Sequence, residues 1–306
     1  MRTATTTDHQ SRVLRTLTYI HSHLDRPLTL DDLARQAAMS PFHFNRVFRT
    51  LLGEPPMQLL RRLRLERAVC ALKAGDTTVT DAAFTAGYDA PEAFSRAFRA
   101  WSGLPPSALR SGNTALTVPA VASGVHFATP DRPPTWQTPT ADGPEVVRTS
   151  RLDTPYVYAR HVGPPKQLGR TFGRVMSWAG ARGLLRGGRE VFGLVYTDPD
   201  ETPPQAWVYD VCIAGDGLEP GPDMYQDTLA GGTFARVMHR GRHRDRAKVY
   251  DHLLGRWPVE AGVDLAVGPV VETFEINWKA LLFQSYSVAI QVRLAESEGP
   301  TVGERR

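Results

Sequence analysis

A repeat of fifty residues in the first third of the chain constrains its fold more than any other feature. Phe44-Asn45-Arg46-Val47-Phe48-Arg49 returns as Phe94-Ser95-Arg96-Ala97-Phe98-Arg99, and Gly53, Pro55 and Pro56 return as Gly103, Pro105 and Pro106. Arg61 has a near counterpart in Arg110. Two copies of one supersecondary unit are the simplest explanation. In copy one, Thr29 can cap a helix, with Asp32 near the N3 position of a capping box, and the helix runs to about Ala37. Ser40 and Pro41 open the next helix as N-cap and first residue. In it Phe44, Val47, Phe48 and Leu51 form one apolar face, while Phe42, Asn45, Arg46 and Arg49 share another. Copy two sets Phe94, Ala97, Phe98 and Trp101 against Glu92, Ser95, Arg96 and Arg99, with Gly87 supplying the turn.

A helix anchored by one stripe and polar on the other is what a major-groove reader requires. One copy alone fits an ordinary amphipathic pair with a solvated basic face equally well; two copies with matched arginines favour DNA. Arg46 and Arg96 suit guanine O6 and N7 or phosphate, Asn45 an adenine edge, and Phe42 a thymine methyl group. Between the copies, Pro55 to Lys73 reads as one helix stopped by Gly75, about 27 Å long at 1.5 Å per residue. That suits two recognition helices about 34 Å apart, one turn of DNA. Charge agrees: residues 1–112 hold 15 Lys+Arg and 10 Asp+Glu, a net of +5, and the remainder of the 306 residues nets −1.

The other two thirds divide again. Residues 113–144 contain Pro119, Pro130, Pro133, Pro134, Pro139 and Pro144 with few periodic apolar positions, and read as an extended, semi-rigid linker. Residues 145–294 alternate strand-like runs with two helix-like segments, an α+β pattern. The tail, 296–306, is polar and expected to be disordered. No run of about 18 apolar residues exists and Met1 to Gln10 has no signal-type segment, so a cytoplasmic protein without membrane contact is expected. Cys70 and Cys212 read as two buried thiols. His239 and His243 lie four apart in an Arg-rich turn, and no zinc-type spacing, phosphate loop or nucleophile elbow occurs, so neither metal nor cofactor is expected. Gly241 to Arg246 reads as a solvated turn.

The second domain is itself faintly duplicated: Ala159-Arg160-His161-Val162-Gly163 and Val237-Met238-His239-Arg240-Gly241 each precede a helix. In Val270 to Ile276 the period-2 face holds Val270, Glu272, Phe274 and Ile276. A carboxylate on an apolar face needs a partner. It is either the counter-ion of a cationic, aromatic ligand or a structural carboxylate bonded to Arg or backbone. Trp207, Tyr209, Val211 and Ile213 share a face that reads as core, and Tyr225 and Trp178 are candidate aromatic walls.

Residues 11–111 resemble the AraC/XylS family DNA-binding domain, through Leu30-Asp31-Asp32-Leu33-Ala34, Ser40 to Phe48, Arg64-Leu65-Glu66-Arg67-Ala68, and Gly87-Tyr88 through Phe94 to Pro106. The resemblance implies DNA contacts from Phe42, His43, Asn45, Arg46 and Arg49, then Glu92, Ala93, Ser95, Arg96 and Arg99. Ala90-Pro91 departs from the pattern, where Ser is common. Residues 145–294 resemble the GyrI-like effector-binding domain of Rob-type regulators, through Arg160 to Gly163, Gly193 to Pro199, Tyr209 to Cys212, Gly231 to Ala235 and Glu272 to Phe274. Asn277 to Ser285 looks like an insertion. The implied architecture is an all-α double helix-turn-helix domain (8–112) followed by an α+β domain (145–295) of two pseudo-symmetric sheet-and-helix units. The implied function is a DNA-binding transcription regulator, with RNA polymerase and a small effector as partners and an effector site of Glu272, Tyr209, Trp178, Tyr225 and Phe274. The alternatives for 145–295 are a hydrolase of cyclopropane-containing compounds, with Glu272 as acid/base, or a protein-interaction module.

Overall fold

The computed structural model describes residues 3–110, 116–137, 143–198, 202–241, 245–275 and 286–296, in two compact units, Thr3–Pro139 and Thr140–Arg306. Ile276, the proposed insertion 277–285 and the tail beyond residue 296 lie outside the described residues.

Unit one is helical: α1 (Thr3–Ser22), α2 (Leu30–Gln36), α3 (Pro41–Leu52), α4 (Pro56–Ala74), α5 (Val79–Thr85), α6 (Pro91–Ser102) and α7 (Pro106–Arg110). The capping signals act as expected. Thr29 and Asp32 exchange hydrogen bonds in a capping box, and Ser40 Oγ accepts from the His43 N–H at 3.3 Å. Gly53 and Gly103 end α3 and α6 at φ +80° and +76°, a region costly to any residue with a Cβ. Phe44, Val47, Phe48 and Leu51 are buried in copy one, as are Phe94 and Phe98 in copy two, packed with Leu65, Val69, Leu72 and Ala83.

The Arg64-to-Ala68 motif in α4 has a mechanical role. Arg64 Nε donates to the Leu24 carbonyl at 3.0 Å and Arg67 donates to Leu24 O and, at 2.6 Å, to Thr85 O. One helix thus pins the turn before α2 and the end of α5.

Residues 116–137 correct the expectation of an extended linker. They fold back onto α3 and α4, because α4 presents charges that need their backbone. Arg62 lies between Glu54 and Glu66, bonded at 2.6 Å to each, and also donates to Val125 O at 2.9 Å. Glu66 accepts from the Phe127 N–H at 2.8 Å and meets His126 Nδ1 at 3.1 Å. Gln137 N–H reaches Leu51 O at 2.8 Å, across the end of α3. Burial alone would weaken the Arg62 charge; hydrogen bonding and the two carboxylates outweigh it and raise its pKa.

Unit two is one eight-stranded antiparallel sheet carrying two helical elements. The strands are β1 (Val147–Arg151), β2 (Thr154–Val162), β3 (Val191–Val195), β4 (Val208–Ala214), β5 (Tyr225–Leu229), β6 (Gly232–Gly241), β7 (Val270–Glu275) and β8 (Tyr286–Arg293). Their order is β1-β6-β8-β7-β3-β4-β2-β5. The halves match about the β7–β3 junction: inside an edge strand, β1 or β5, each runs first, third, second inward, β6-β8-β7 and β2-β4-β3. Helix α8 (Leu168–Ala181) follows β2; α9 (Arg246–Asp251), a π turn (His252–Arg256) and α10 (Trp257–Ala261) follow β6. The expected duplication is therefore real, but the two units share a continuous sheet. Only Leu152 and Asp153 separate β1, at one edge, from β2, one strand in from the other edge. A sheet so connected must curl until its ends meet, and the Gly231 N–H donates to Asp153 Oδ1 at 2.7 Å across that closure. Inside the curl lie Tyr156, Phe192, Leu194, Cys212, Phe234 and Val271; the helices cover the outer face. Cys212 is buried, but Cys70 is exposed, against expectation. Among the described residues no helix is long and apolar enough to cross a membrane.

Candidate functional site

The two copies of the helix-turn-helix unit differ in exposure. In α6, Glu92, Arg96 and Arg99 are exposed and Ala93 and Ser95 half-buried, so this stripe is open. In α3 the matching stripe is not: Phe42, His43, Asn45 and Arg46 are all buried, Arg46 to 1 % exposure, and Arg49 is half-buried. The spacing does bring these residues to one side, since Arg46 Cζ sits 5.7 Å from the Phe42 ring. Against His43 lies His9 of α1, edge-on with ring centroids 6.0 Å apart. The N-terminal segment, read as polar chain outside a domain starting at residue 8, is helical from Thr3 and reaches the start of α3.

In unit two the chemistry gathers on the helix-covered face. Register pairs Glu272 with Gly193 and Gly193 with Val211, so the side of β4 bearing Tyr209, Val211 and Ile213 shares that face. Glu272 is 2 % exposed and receives three donors: Tyr209 Oη at 2.9 Å, Tyr250 Oη at 2.7 Å and Arg246 at 2.5 Å. The Arg246 side chain is itself only 13 % exposed, so this is a nearly dry ion pair. Burial, then the charge of Glu272, push the Tyr209 phenol well above its usual value, so it stays a donor. Gly193 makes room for it: a Cβ there would fall 1.7 Å from the Tyr209 hydroxyl.

Aromatic rings surround the carboxylate. Phe172 of α8 packs on Tyr209 at 6.3 Å and on Phe274 at 5.4 Å, and Trp207 lies 5.4 Å from Tyr209. Of the expected site residues, Glu272, Tyr209 and Phe274 come together. Trp178 does not join them by any ring contact; it is buried on α8 beneath Arg182 and beside Gly221. Tyr225 is a correction. Its partner across β2 is Tyr158, which pairs with Cys212, and this places it on the opposite face of the sheet from Glu272. There Tyr158 and Tyr225 stack at 5.7 Å, beside the Arg160–Asp210 pair held by two bonds of 2.8 Å. The Arg160 and Asp210 motif residues therefore close the inner face and do not touch Glu272.

Arg246, Tyr250 and Gly193 are the members that sequence reasoning missed. Arg246 is the last residue of the segment read as a solvated turn, and Tyr250 lies on the helix expected after Gly241. Gly193 carried a usable signal, because a glycine inside a strand often marks a close approach. Among the described residues, Glu272's nearest partners are two phenols and a guanidinium.

Comparison with known proteins covers both units. Residues 33–112 match a helix-turn-helix domain family and residues 151–295 match the GyrI-like small molecule binding domain family. The chain is 32% identical over 109 residues to the HTH-type transcriptional activator AarP of Providencia stuartii, covering 35% of this chain and 81% of AarP. It is 30% identical over 102 residues to the regulatory protein SoxS of Escherichia coli K12, covering 33% of this chain and 95% of SoxS. A solved EcmrR–DNA complex is 14% identical with a TM-score of 0.40, over 50% of this chain and 58% of that one.

Proposed function

The chain belongs to the AraC/XylS family of transcription regulators, with a C-terminal GyrI-like domain, and we propose that it couples DNA reading by the helix-turn-helix unit, whose open stripe lies on α6, to a cationic, aromatic effector bound at Glu272. The observation that supports the effector half is the buried carboxylate of Glu272, whose close cation among the described residues is the Arg246 side chain, bonded by Tyr209 and Tyr250 with Phe172 and Phe274 packed alongside Tyr209. An incoming cation exchanges with Arg246, which returns to water. Ion pair replaces ion pair, so the net attraction comes from the rings: aromatic burial and cation–π contact. A flat, bulky organic cation satisfies both demands; a small hydrated one satisfies neither. In this reading the protein works in the cytoplasm, and RNA polymerase is the partner that the DNA-bound protein engages.

The test uses calorimetry on the full chain with tetraphenylphosphonium and its anionic isostere tetraphenylborate. Wild type should bind the cation and reject the anion. Glu272→Gln keeps the shape and removes the charge, and should weaken the cation by at least about tenfold, or 1.4 kcal/mol. Equal affinity of the variant and wild type for the cation would return Glu272 to a purely structural role.

A further inference from the structure

The segment that holds Glu272 from above also holds the chain where it enters the unit. Arg246 and Tyr250 are four residues apart, on one side of α9, and both bond Glu272. His252 follows Tyr250 by two positions, about 200° further around the helix, and so faces the other way. It is 6 % exposed, and its Nδ1 has no hydrogen-bond partner among the described residues. The backbone of Gly143 lies flat on its ring: a Cβ built on Gly143 would fall 2.2 Å from Nδ1 and from Cε1, and 2.7 Å from Cγ. Only glycine permits that seat. Gly143 and Pro144, followed by Glu145 and Val146, lead into β1 and are the first described residues of this unit.

Both contacts belong to one continuous helical run, α9, the π turn and α10, with only Asp251 between Tyr250 and His252. Val249, Leu253, Leu254 and Val259 are buried and tie it together. His252–Arg256 is a π turn, whose closing bond runs from the Trp257 N–H to His252 O. Its cause is local, because Pro258 lacks an N–H and its ring crowds the carbonyl of Leu254.

We propose that residues 246–261 act as a lever: releasing Glu272 from Arg246 and Tyr250 unseats Gly143 from His252, and so loosens the entry of the chain into β1. The regulatory sense of this lever rests on the reading of Glu272 as the effector site, but the linkage between its two ends is a property of the chain without any ligand.

Hydrogen exchange by mass spectrometry on the full chain separates the two claims. Tyr250→Phe removes one hydroxyl and keeps the ring; Glu272→Gln removes the charge. Both should speed exchange by about tenfold or more in two windows, 247–257 and the paired amides of β1 (Val147–Arg151), while β4 stays unchanged. Gly143→Ala should do the same from the other end, with faster exchange in 247–257. Faster exchange confined to the mutated end in these variants would overturn the lever, and Tyr250→Phe carries the test if Glu272→Gln fails to fold. Tetraphenylphosphonium added to wild type gives a separate arm. If it binds and leaves the amides of β1 unchanged, the lever is wrong; if it fails to bind while the variants link both windows, the lever stands and the cationic-effector reading falls.

Discussion

His252 is a base held in an environment that disfavours its charged form. Burial is the main cause of its lowered pKa; Glu260 and hydrogen bonding to the Pro144 backbone oppose it, and Arg256 adds to it. The ordinary value is 6.5, and the folded value lies below it. The unfolded chain therefore binds the proton more readily, and stability rises with pH across the window between the two values. The contribution is complete above about pH 6.5 and is lost as pH falls toward the folded value. Unit two should thus unfold more easily at about pH 5.5 than at about pH 7.5, as read from the slowest-exchanging amides of β8. His252→Gln should flatten that difference; an unchanged pH slope in the variant would assign the loss to other groups. At this same scale the sequence is a partial guide. Glu272 stands out as a charge in an apolar strand face, and Tyr209 and Phe274 follow from strand period. Tyr225 misleads, because a residue's face depends on the register of β5 against β2, which no local pattern encodes.

At the scale of elements the helices were legible because their signals are local. Caps and an apolar stripe specify α2 and α3, and the stripe with its stop glycine specifies α6, without reference to distant residues. The strands were legible as runs but not in their order. β1 pairs with β6, far along the chain, while β2 begins two residues after it, and that exchange of edges is a tertiary fact. The two recognition helices also differ in a way the sequence states directly. Ser40 caps α3 through its side chain, whereas Ala90 gives α6 no side-chain cap. Ala90→Ser supplies the missing acceptor to the first turn, and its backbone is already extended at φ −144° and ψ 137°. It should stabilise unit one by about 0.5–1 kcal/mol in urea unfolding. No gain would mean that the α6 amide groups are already satisfied in the folded protein.

Over the whole molecule, the boundary of the DNA-binding unit is the point at which composition misleads and packing decides. Proline content marks 113–144 as a spacer, yet a proline-rich segment still carries carbonyls and N–H groups that a buried charge can recruit. Arg62 takes Val125 O, Glu66 takes the Phe127 N–H, and Val125 itself is buried. A fragment ending at residue 112 lacks all of these. It leaves a guanidinium and a carboxylate to solvent that the full unit satisfies internally, and it uncovers the end of α3 where Gln137 bonds Leu51 O. Hydrogen bonds to charged groups contribute about 1.5–3 kcal/mol each, part of which water restores once the site opens. With the lost burial of one valine, the net cost of cutting at 112 should be roughly 3 kcal/mol relative to a fragment ending at 137. Urea unfolding of the two fragments measures it directly. The longer fragment should also bind promoter DNA as a monomer and protect two adjacent major grooves on one face of the duplex, because α4, nineteen residues long, spans about 28 Å between the copies. Arg96→Ala in that fragment should weaken binding by about 1–3 kcal/mol. If both fragments unfold at the same urea concentration with the same slope, the strap is only a spacer that happens to lie on the helices, and the shorter fragment is the true domain.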